Sequence, residues 1–410
     1  MDYDVTVVGA GPAGSTLAEI LAQDGHRVLI LEEHPTVGLP SHCTGKISVN
    51  ALKELELDPI GVQQEVRGAV FYSPKTGSFR VERNATQAYI LDRPIFDGRL
   101  SKRAVDAGAC LITNARATGI SMSTTGVNVD FSREGETQRA ASRLVVAADG
   151  ANSNVAHWLG LYSKELRCMR MGIQREATDV RDVQPEIVEL YFGRCYAPGF
   201  FAWIVPIGHD KAKVGLCTSI PSDKSALTYL DSFINSHPVA HEKLKDCSFG
   251  EVSAHIIPTG SPPGETVSDG VIVVGDAAGQ VKSTTGGGLY YGIACAKIAG
   301  EAVSKALKAS ANGLVRKESL VEYELLWRKK FEREIAFSVK ARLFMDLLTD
   351  DELDYLFSIV QEDYSLKNLI EFEGDLDWQS RITQPLIRSL LPKIAKKPTL
   401  LYKLGKSLLV

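Results

Sequence analysis

No run of about 18 consecutive apolar residues occurs in the 410-residue chain, so nothing in it reads as a membrane-spanning helix. The opening Met1-Asp2-Tyr3-Asp4 is acidic rather than cationic and leads straight into a β-rich stretch, unlike a secretory signal. The expectation is no export and only peripheral contact with a membrane. Net charge is small, −4, leaving no basic excess for binding nucleic acid. Seven cysteines (Cys43, Cys110, Cys168, Cys195, Cys217, Cys247 and Cys295) are odd in number, scattered and without a CxxC pair. That pattern argues against a disulfide framework and against a zinc site, and it fits a reducing cytoplasm. The eight histidines are dispersed and neither HExxH nor GxSxG occurs, so metalloprotease and serine-hydrolase chemistry have no footing and no metal is expected.

What is present begins with Asp4 to Glu32, which reads strand, glycine turn, helix, strand: one βαβ unit, with Gly25 at a helix C-terminal cap and Val28 to Leu31 as a strand buried on both faces. From Arg67 to Leu91 short strands around turn signals predict an antiparallel hairpin in another layer. A helix near Phe96 to Gly108, alternating strands to Ser142 and the strand in "RLVVAADG" return to the first layer. Residues from about Arg167 to Pro258 read as strands and turns, and "GVIVVGDAAG" followed by a helix from about Gly288 restores the parallel pattern. The expected architecture is α/β: a Rossmann-type nucleotide domain over 1–65, 92–165 and 262–310, a β-sheet substrate domain over 66–91 and 166–261, and a helical C-terminal region over 311–410. From Arg381 to Val410 there are seven basic residues (Arg381, Arg388, Lys393, Lys396, Lys397, Lys403, Lys406), interleaved with leucines and with no acid. Such a stretch suits an anionic membrane surface, or a solvated tail packed by its leucines.

The strongest motif is Gly9-x-Gly11-x-x-Gly14 between strand and helix, with Glu32 at the end of the next strand. Gly9 permits the tight turn, Gly11 lets backbone approach a pyrophosphate at the helix N-terminus, and Gly14 lets the helix pack closely on the sheet. Glu32 would accept from ribose hydroxyls, and the turn alone leaves FAD or NAD open. Two later segments bear on that choice. In "GDAAG" and "GGGLYYGI", Asp276 can bind ribityl hydroxyls while the amides near Gly287, Gly288 and Leu289 face a flavin edge. "AADGANS" puts Asp149 and Gly150 at a strand end.

With Arg93 in "LDRPIFDGRL", these segments resemble the three-part FAD signature of the p-hydroxybenzoate hydroxylase-like flavoproteins. Within them, "GLPSHCTGKIS", "PGFFAWIVPIGHDKAKVGL" and "GDAAGQVKSTTGGGLYYGI" resemble the geranylgeranyl reductases, over roughly residues 1 to 345. The chain departs from that family's pattern at Val205, where a phenylalanine is usual, at Ser283, where a proline is usual, and at Gly45-Lys46. The resemblance implies FAD as cofactor and places Cys43, Thr44 and Lys46 at the flavin. By the same matching Ala13, Glu32, Arg93, Arg116 (through its backbone) and Asp276 are cofactor contacts, and the strand carrying Phe201, Trp203 and Pro206 lines the substrate cavity.

An isolated prenyl double bond has no carbonyl to take up charge, so hydride delivery must be matched by a proton at the other carbon, in a dry cavity. Aromatic faces favour developing positive charge, and Trp203, Phe201, Tyr191 and Tyr196 are the candidates. Cys43 is the candidate catalytic residue, positioning the alkene or donating the proton. The implied partners are an isoprenoid lipid, a membrane surface and an electron donor. Because no second GxGxxG occurs, that donor is a ferredoxin-like protein or NAD(P)H docking without a Rossmann unit of its own. The competing readings are a flavin-dependent monooxygenase or halogenase, whose Trp-x-Trp-x-Ile-Pro strand differs from "FAWIVP", and a non-enzymatic flavoprotein with structural FAD.

Overall fold

Four-residue apolar runs bounded by glycine turns become fully buried strands in the computed structural model, which describes residues 2–161, 169–310 and 313–408. Cys168 lies outside the described residues. The chain forms two units: Met1–Ser41, Arg93–Arg167 and Pro258–Ile335 make the first, and His42–Asp92, Cys168–Ile257 and Ala336–Val410 the second.

The first unit is built on a six-stranded sheet ordered Val267–Ser268, Val271–Val273, Leu144–Ala147, Val5–Val8, Val28–Leu31, Cys110–Ile112. All neighbours are parallel except the first pair. Parallel strands need crossovers that cover both faces, which is why these strands carry no polar alternation. An antiparallel sheet of Arg116–Met122, Val127–Arg133 and Glu136–Ser142 contributes Val127, Val129 and Phe131 to the core around Leu29, Leu31 and Val145. Helices Pro12–Gln23 and Leu289–Ala309 pack closely because a Cβ at Gly300 would already stand 3.0 Å from Ile20. Helix Lys317–Leu347 buries Leu320, Tyr323, Trp327, Phe331 and Ile335, a stripe at three- and four-residue spacing.

The second unit carries a large sheet ordered Ser248–Phe249, Met169–Thr178, Ala212–Ser219, Ala202–Pro206, Ile187–Tyr191, Gly68–Tyr72, Ser78–Glu82, with Ser253–Pro258 also pairing Met169–Thr178. The Gly68–Tyr72/Ser78–Glu82 hairpin has the antiparallel form its turn signals predict. One face of the sheet packs under helices Ala226–Ser236 and Pro238–Leu244 through Tyr229, Leu230, Phe233, Ala240 and Leu244. These helices correct the expectation of strands and turns throughout 167–258. Their signals are in the sequence: Ser225 accepts the Thr228 N–H at 3.1 Å as an N-cap, and Pro238 opens the second helix.

Residues 42–65, grouped with the nucleotide domain in the sequence reading, fall in the second unit. The reason is hydrogen bonding: Lys46–Ser48 and Val62–Val66 both pair with Ala88–Leu91. The C-terminal region is helical, as expected, and its residues after Ile335 cluster with the second unit. There helices Asp350–Glu362, Thr383–Ile394 and Pro398–Leu408 enclose Leu353, Ile359, Val360, Ile394 and Leu400. Glu352 closes a capping box with Thr349 and pairs with Lys403. Burial alone would raise its carboxyl, but the Lys403 ammonium and the Thr349 N–H outweigh that and hold it at about 2.

His237 caps the Pro238–Leu244 helix, its Nδ1 accepting the Val239 and Ala240 N–H groups at 3.2 Å. Burial among the Tyr191, Tyr196 and Phe233 rings pushes the imidazole from 6.5 down to about 4. The unfolded chain therefore takes a proton that the folded chain refuses. This contribution to stability is complete above about pH 6.5 and is lost as the pH falls toward about 4. Urea titrations across that range are expected to show falling midpoints, and His237→Asn, which keeps a cap acceptor, should flatten the trend.

Candidate functional site

In the first unit the strand Val5–Val8 runs into Gly9 at φ +101°, where a Cβ would stand 2.3 Å from the Ala148 carbonyl oxygen. A Cβ at Gly14 would stand 2.0 Å from the Gly9 oxygen, so helix Pro12–Gln23 lies directly on the turn. Gly11, the N-cap, is different: it has no side-chain cap bond, and a Cβ there meets nothing within 4 Å. It stands at the electropositive end of the helix. Glu32 is buried in front of this turn, accepting the Ala10 N–H at 2.9 Å, the His34 N–H at 3.0 Å and contacting His34 Nδ1 at 2.7 Å. Ala13 faces the third segment, its Cβ 3.1 Å from the position a Cβ at Gly275 would take.

That segment leaves strand Val271–Val273 through the 3-10 turn Gly275–Ala278. The turn is braced from behind by a buried chain: the Gly275 N–H donates to Gln280 Oε1 (2.7 Å), Gln280 Nε2 to the Tyr323 hydroxyl (2.9 Å), and that hydroxyl to the Val273 carbonyl (2.8 Å). Burial raises the Asp276 carboxyl while the Arg93 guanidinium opposes the rise. Gly288 leaves room for Asp276, since a Cβ would come within 2.6 Å of Asp276 Oδ1. Gly287 bridges back to Lys282, and Leu289 opens helix Leu289–Ala309. Arg93 is gripped by Asp97 in a bidentate pair at 2.8 and 2.7 Å.

The structure thus brings together Gly9, Gly11, Ala13, Gly14 and Glu32, and groups Asp276 with Arg93, Gly287, Gly288 and Leu289. Asp149 borders Gly9, with its Cα 3.2 Å from a Cβ built there, while its carboxylate accepts the Ser153 hydroxyl and the Val155 N–H (3.1 Å) and so starts helix Asn154–Trp158. Burial raises the Asp149 carboxyl against those bonds. The Arg116 side chain is exposed, 3.6 Å from Glu33, although the preceding residue, Ala115, donates to the Glu32 carbonyl at 2.8 Å. Sequence reasoning missed the Gln280–Tyr323 brace and the buried Lys282. The helical spacing that buries Tyr323 was the available signal.

In the second unit, Cys43 Sγ accepts the Gly45 N–H at 3.3 Å. Gly45 has φ +79° and a Cβ there would strike the Leu91 oxygen at 2.1 Å, so this segment lies flat on the strand Ala88–Leu91, with Lys46 opposite Ile90. Lys213, also missed, is a buried lysine whose Nζ donates to the Thr44 carbonyl at 3.2 Å. Strand alternation puts Lys213, Gly215 and Cys217 on the sheet face opposite the Ala226–Leu244 helices, together with Phe201 and Trp203. Gly215 sits opposite Trp203, and a Cβ there would come within 2.7 Å of the indole Cε2. Tyr191 and Tyr196 lie on the other face: Tyr191 stacks on Tyr72 at 4.6 Å and bonds Glu189, and Tyr196 packs near Phe233 and His237. Pro206 has the parity of Ala202 and Ile204, which pack in that same core.

Because a methyl at residue 11 meets no protein atom, Gly11→Ala should leave the unfolding temperature of the apoprotein unchanged while weakening FAD by about tenfold or more, read by flavin-fluorescence titration.

Residues 2–319 match the FAD binding domain family. The digeranylgeranylglycerophospholipid reductase of Methanocaldococcus jannaschii is 35% identical over 88% of this chain and 91% of its own length. The second enzyme of that name from Methanothermobacter thermautotrophicus is 35% identical over 87% and 91%. A geranylgeranyl bacteriochlorophyll reductase-like structure from Thermoplasma acidophilum superposes with a TM-score of 0.82 at 26% identity, covering 99% of both chains. A flavin-dependent brominase reaches 0.70 at 16% identity, a likeness of fold alone. The chain is an FAD-binding flavoprotein and belongs to the digeranylgeranylglycerophospholipid reductase family.

Proposed function

We propose that this chain is an FAD-dependent reductase that saturates carbon–carbon double bonds in the geranylgeranyl chains of ether-type membrane lipids or their precursors. The observation that carries the reading is one face of the second unit's sheet. It joins the Cys43–Thr44 segment, held by Lys213, to an apolar row of Trp203, Phe201 and Phe200.

The residues of the first unit fit FAD. The open Gly11 N-cap suits a pyrophosphate, Glu32 a ribose, Asp276 the ribityl hydroxyls, and the amides of Gly287, Gly288 and Leu289 the ring edge. Arg93 partly offsets the rise that burial imposes on the Asp276 carboxyl, Ala13, Gly9 and Gly14 shape the turn, Asp149 borders it, and Arg116 contributes through backbone only. Cys43, Thr44 and Lys46 complete the proposed contact set. When bound, reduced FAD supplies the hydride. The protein's part is to exclude water, hold the alkene against aromatic faces and deliver a proton, for which the Cys43 thiol is the proposed donor or positioning group. Electrons reach the cofactor from a ferredoxin-like protein or NAD(P)H.

A lipid substrate implies work at a membrane surface, and we place the protein there, on the cytoplasmic side. Among the described residues no helix is long and apolar enough to cross a bilayer. Four of the seven basic tail residues are engaged within the fold: Arg381 with Asp375, Lys393 with Asp363, Lys403 with Glu352, and Lys397 over the Tyr355 ring. Arg388, Lys396 and Lys406 are exposed, as are Ile387, Leu391, Leu401, Tyr402 and Leu408, giving the tail an apolar surface with a cationic border. The six described cysteines are free thiols, which suits the reducing side of a membrane.

Two measurements test this. Under anaerobic conditions the reduced holoenzyme should be reoxidised by a digeranylgeranylglycerol lipid, giving products heavier by two hydrogens per reduced bond, and Cys43→Ala should slow reoxidation by about tenfold or more. A flavin that stays reduced until air is admitted would instead indicate an oxygen-using enzyme. In vesicle flotation the protein should bind anionic vesicles in preference to zwitterionic ones, and the double variant Ile387→Asp with Leu391→Asp should release it.

A further inference from the structure

The sheet face that carries Phe201 and Trp203 also carries one arginine and meets a second from a helix. Arg170, on strand Met169–Thr178, is 5% exposed, and Arg342, on helix Lys317–Leu347, is 4% exposed. They share one carboxylate: Arg170 Nη2 bonds Asp346 Oδ2, and Arg342 Nε bonds Asp346 Oδ1 at 3.0 Å. A third guanidinium, Arg194, donates to the Asp346 main-chain oxygen at 2.9 Å. Beneath them Cys217 offers no counter-charge, because burial pushes its thiol up to about 12. Two buried positive charges therefore face a single negative one.

The hydrogen-bond inventory has the same sign. Arg170 Nε is buried with no acceptor, and the Arg342 guanidinium meets the shared carboxylate through Nε and otherwise lies over an aromatic ring. A buried donor without an acceptor, and a buried charge without a full counter-charge, are both costly arrangements that an oxyanion relieves. Guanidinium forks match the tetrahedral oxygens of a phosphate. The neighbours specify what else that phosphate carries. The Arg342 guanidinium lies over the Phe200 ring at 5.0 Å, Phe200 stacks on Phe201 at 4.5 Å, and Phe201 meets Trp203 edge-on at 6.2 Å.

We propose that Arg170 and Arg342 form an anion subsite that holds the phosphate of an amphiphilic lipid substrate, with its hydrocarbon chain running from Phe200 along Phe201 and Trp203 toward the Cys43 segment. This rests on the reductase reading and adds the headgroup to it. Strand Ala212–Ser219 spans the distance: Ser219 is opposite Arg170, and Lys213 bonds Thr44. The six residue steps from one to the other at roughly 3.4 Å each give about 20 Å, enough for a long prenyl chain to lie extended. A headgroup fixed at one end then sets which double bonds come near Cys43 at the other.

The test compares digeranylgeranylglyceryl phosphate with the same lipid lacking the phosphate, using the reduced holoenzyme, and titrates inorganic diphosphate alone by calorimetry. The phosphorylated lipid should show a KM about tenfold or more below that of the neutral one. Arg342→Gln and Arg170→Gln should narrow that ratio toward unity, while Arg342→Lys should keep part of it. Inorganic diphosphate should bind the unaltered protein, compete with the phosphorylated lipid and bind Arg342→Gln more weakly. Equal KM changes for both lipids in the variants would make the cluster a structural tie between strand and helix and overturn the subsite. Diphosphate binding with no KM advantage for the phosphorylated lipid would show a site for free anions and overturn the headgroup assignment. If neither lipid is reduced, the reductase reading fails by itself, and the titration still decides the subsite. Should the glutamine variants not fold, the two-lipid comparison and the titration on the unaltered protein decide it.

Discussion

Two-residue alternation along the strand Ala212–Ser219 is the constraint on which the second unit depends. Ala212, Val214 and Leu216 must enter the core beneath the Ala226–Leu244 helices. Lys213, Gly215 and Cys217 are thereby committed to the opposite face, and each has a separate duty there. Lys213 holds the Thr44 carbonyl, Gly215 yields its side-chain volume to the Trp203 indole, and Cys217 floors the cluster around Phe200 and Phe201. A slip of one residue would exchange the two sets and put a lysine into the helix-backed core. Register here is a functional quantity.

The first unit depends on close approach of backbone to backbone. Gly9 and Gly14 bring a helix onto a strand end at distances no side chain would allow, and Gly288 leaves its volume to Asp276. Gly11 differs in kind, because the space it leaves is not filled by the protein. That contrast separates the glycines the fold requires from the one we assign to the bound cofactor. Behind the Asp276 segment the Gln280–Tyr323 chain fixes the Gly275 turn from the core side, so the turn is held from the interior.

Charge is also distributed unevenly between the tail and the sheet face. In the tail, Lys393 and Lys403 are paired with acids that cap helices, so these cations mainly secure the C-terminal helices. On the sheet face, Arg170 and Arg342 outnumber their carboxylate in a place with little water to screen them. The same residue types thus serve stability in one place and leave unsatisfied recognition capacity in the other.

The sequence by itself determined the nucleotide-binding fold and its landmarks. The turn at Gly9–Gly14, Glu32 and Asp276 lie within a few residues of their own strand ends and Gly287–Leu289 at a helix start, where spacing and backbone chemistry are local. It also marked the aromatic strand and the Cys43 segment through their resemblance to known relatives. The structure alone decided which of the candidate aromatics share a face. Tyr191 and Trp203 part company because Tyr191 pairs with Ala202 and not with Trp203, and that register comes from tertiary packing. It alone brought Lys213 to Thr44 and put Arg170 and Arg342 on one carboxylate. Arg342 and Asp346 are a local pair four residues apart on one helix, but Lys213 and Thr44, and Arg170 and Asp346, are far apart along the chain, and no periodicity in the sequence records that they meet once the sheet and the C-terminal helices have packed.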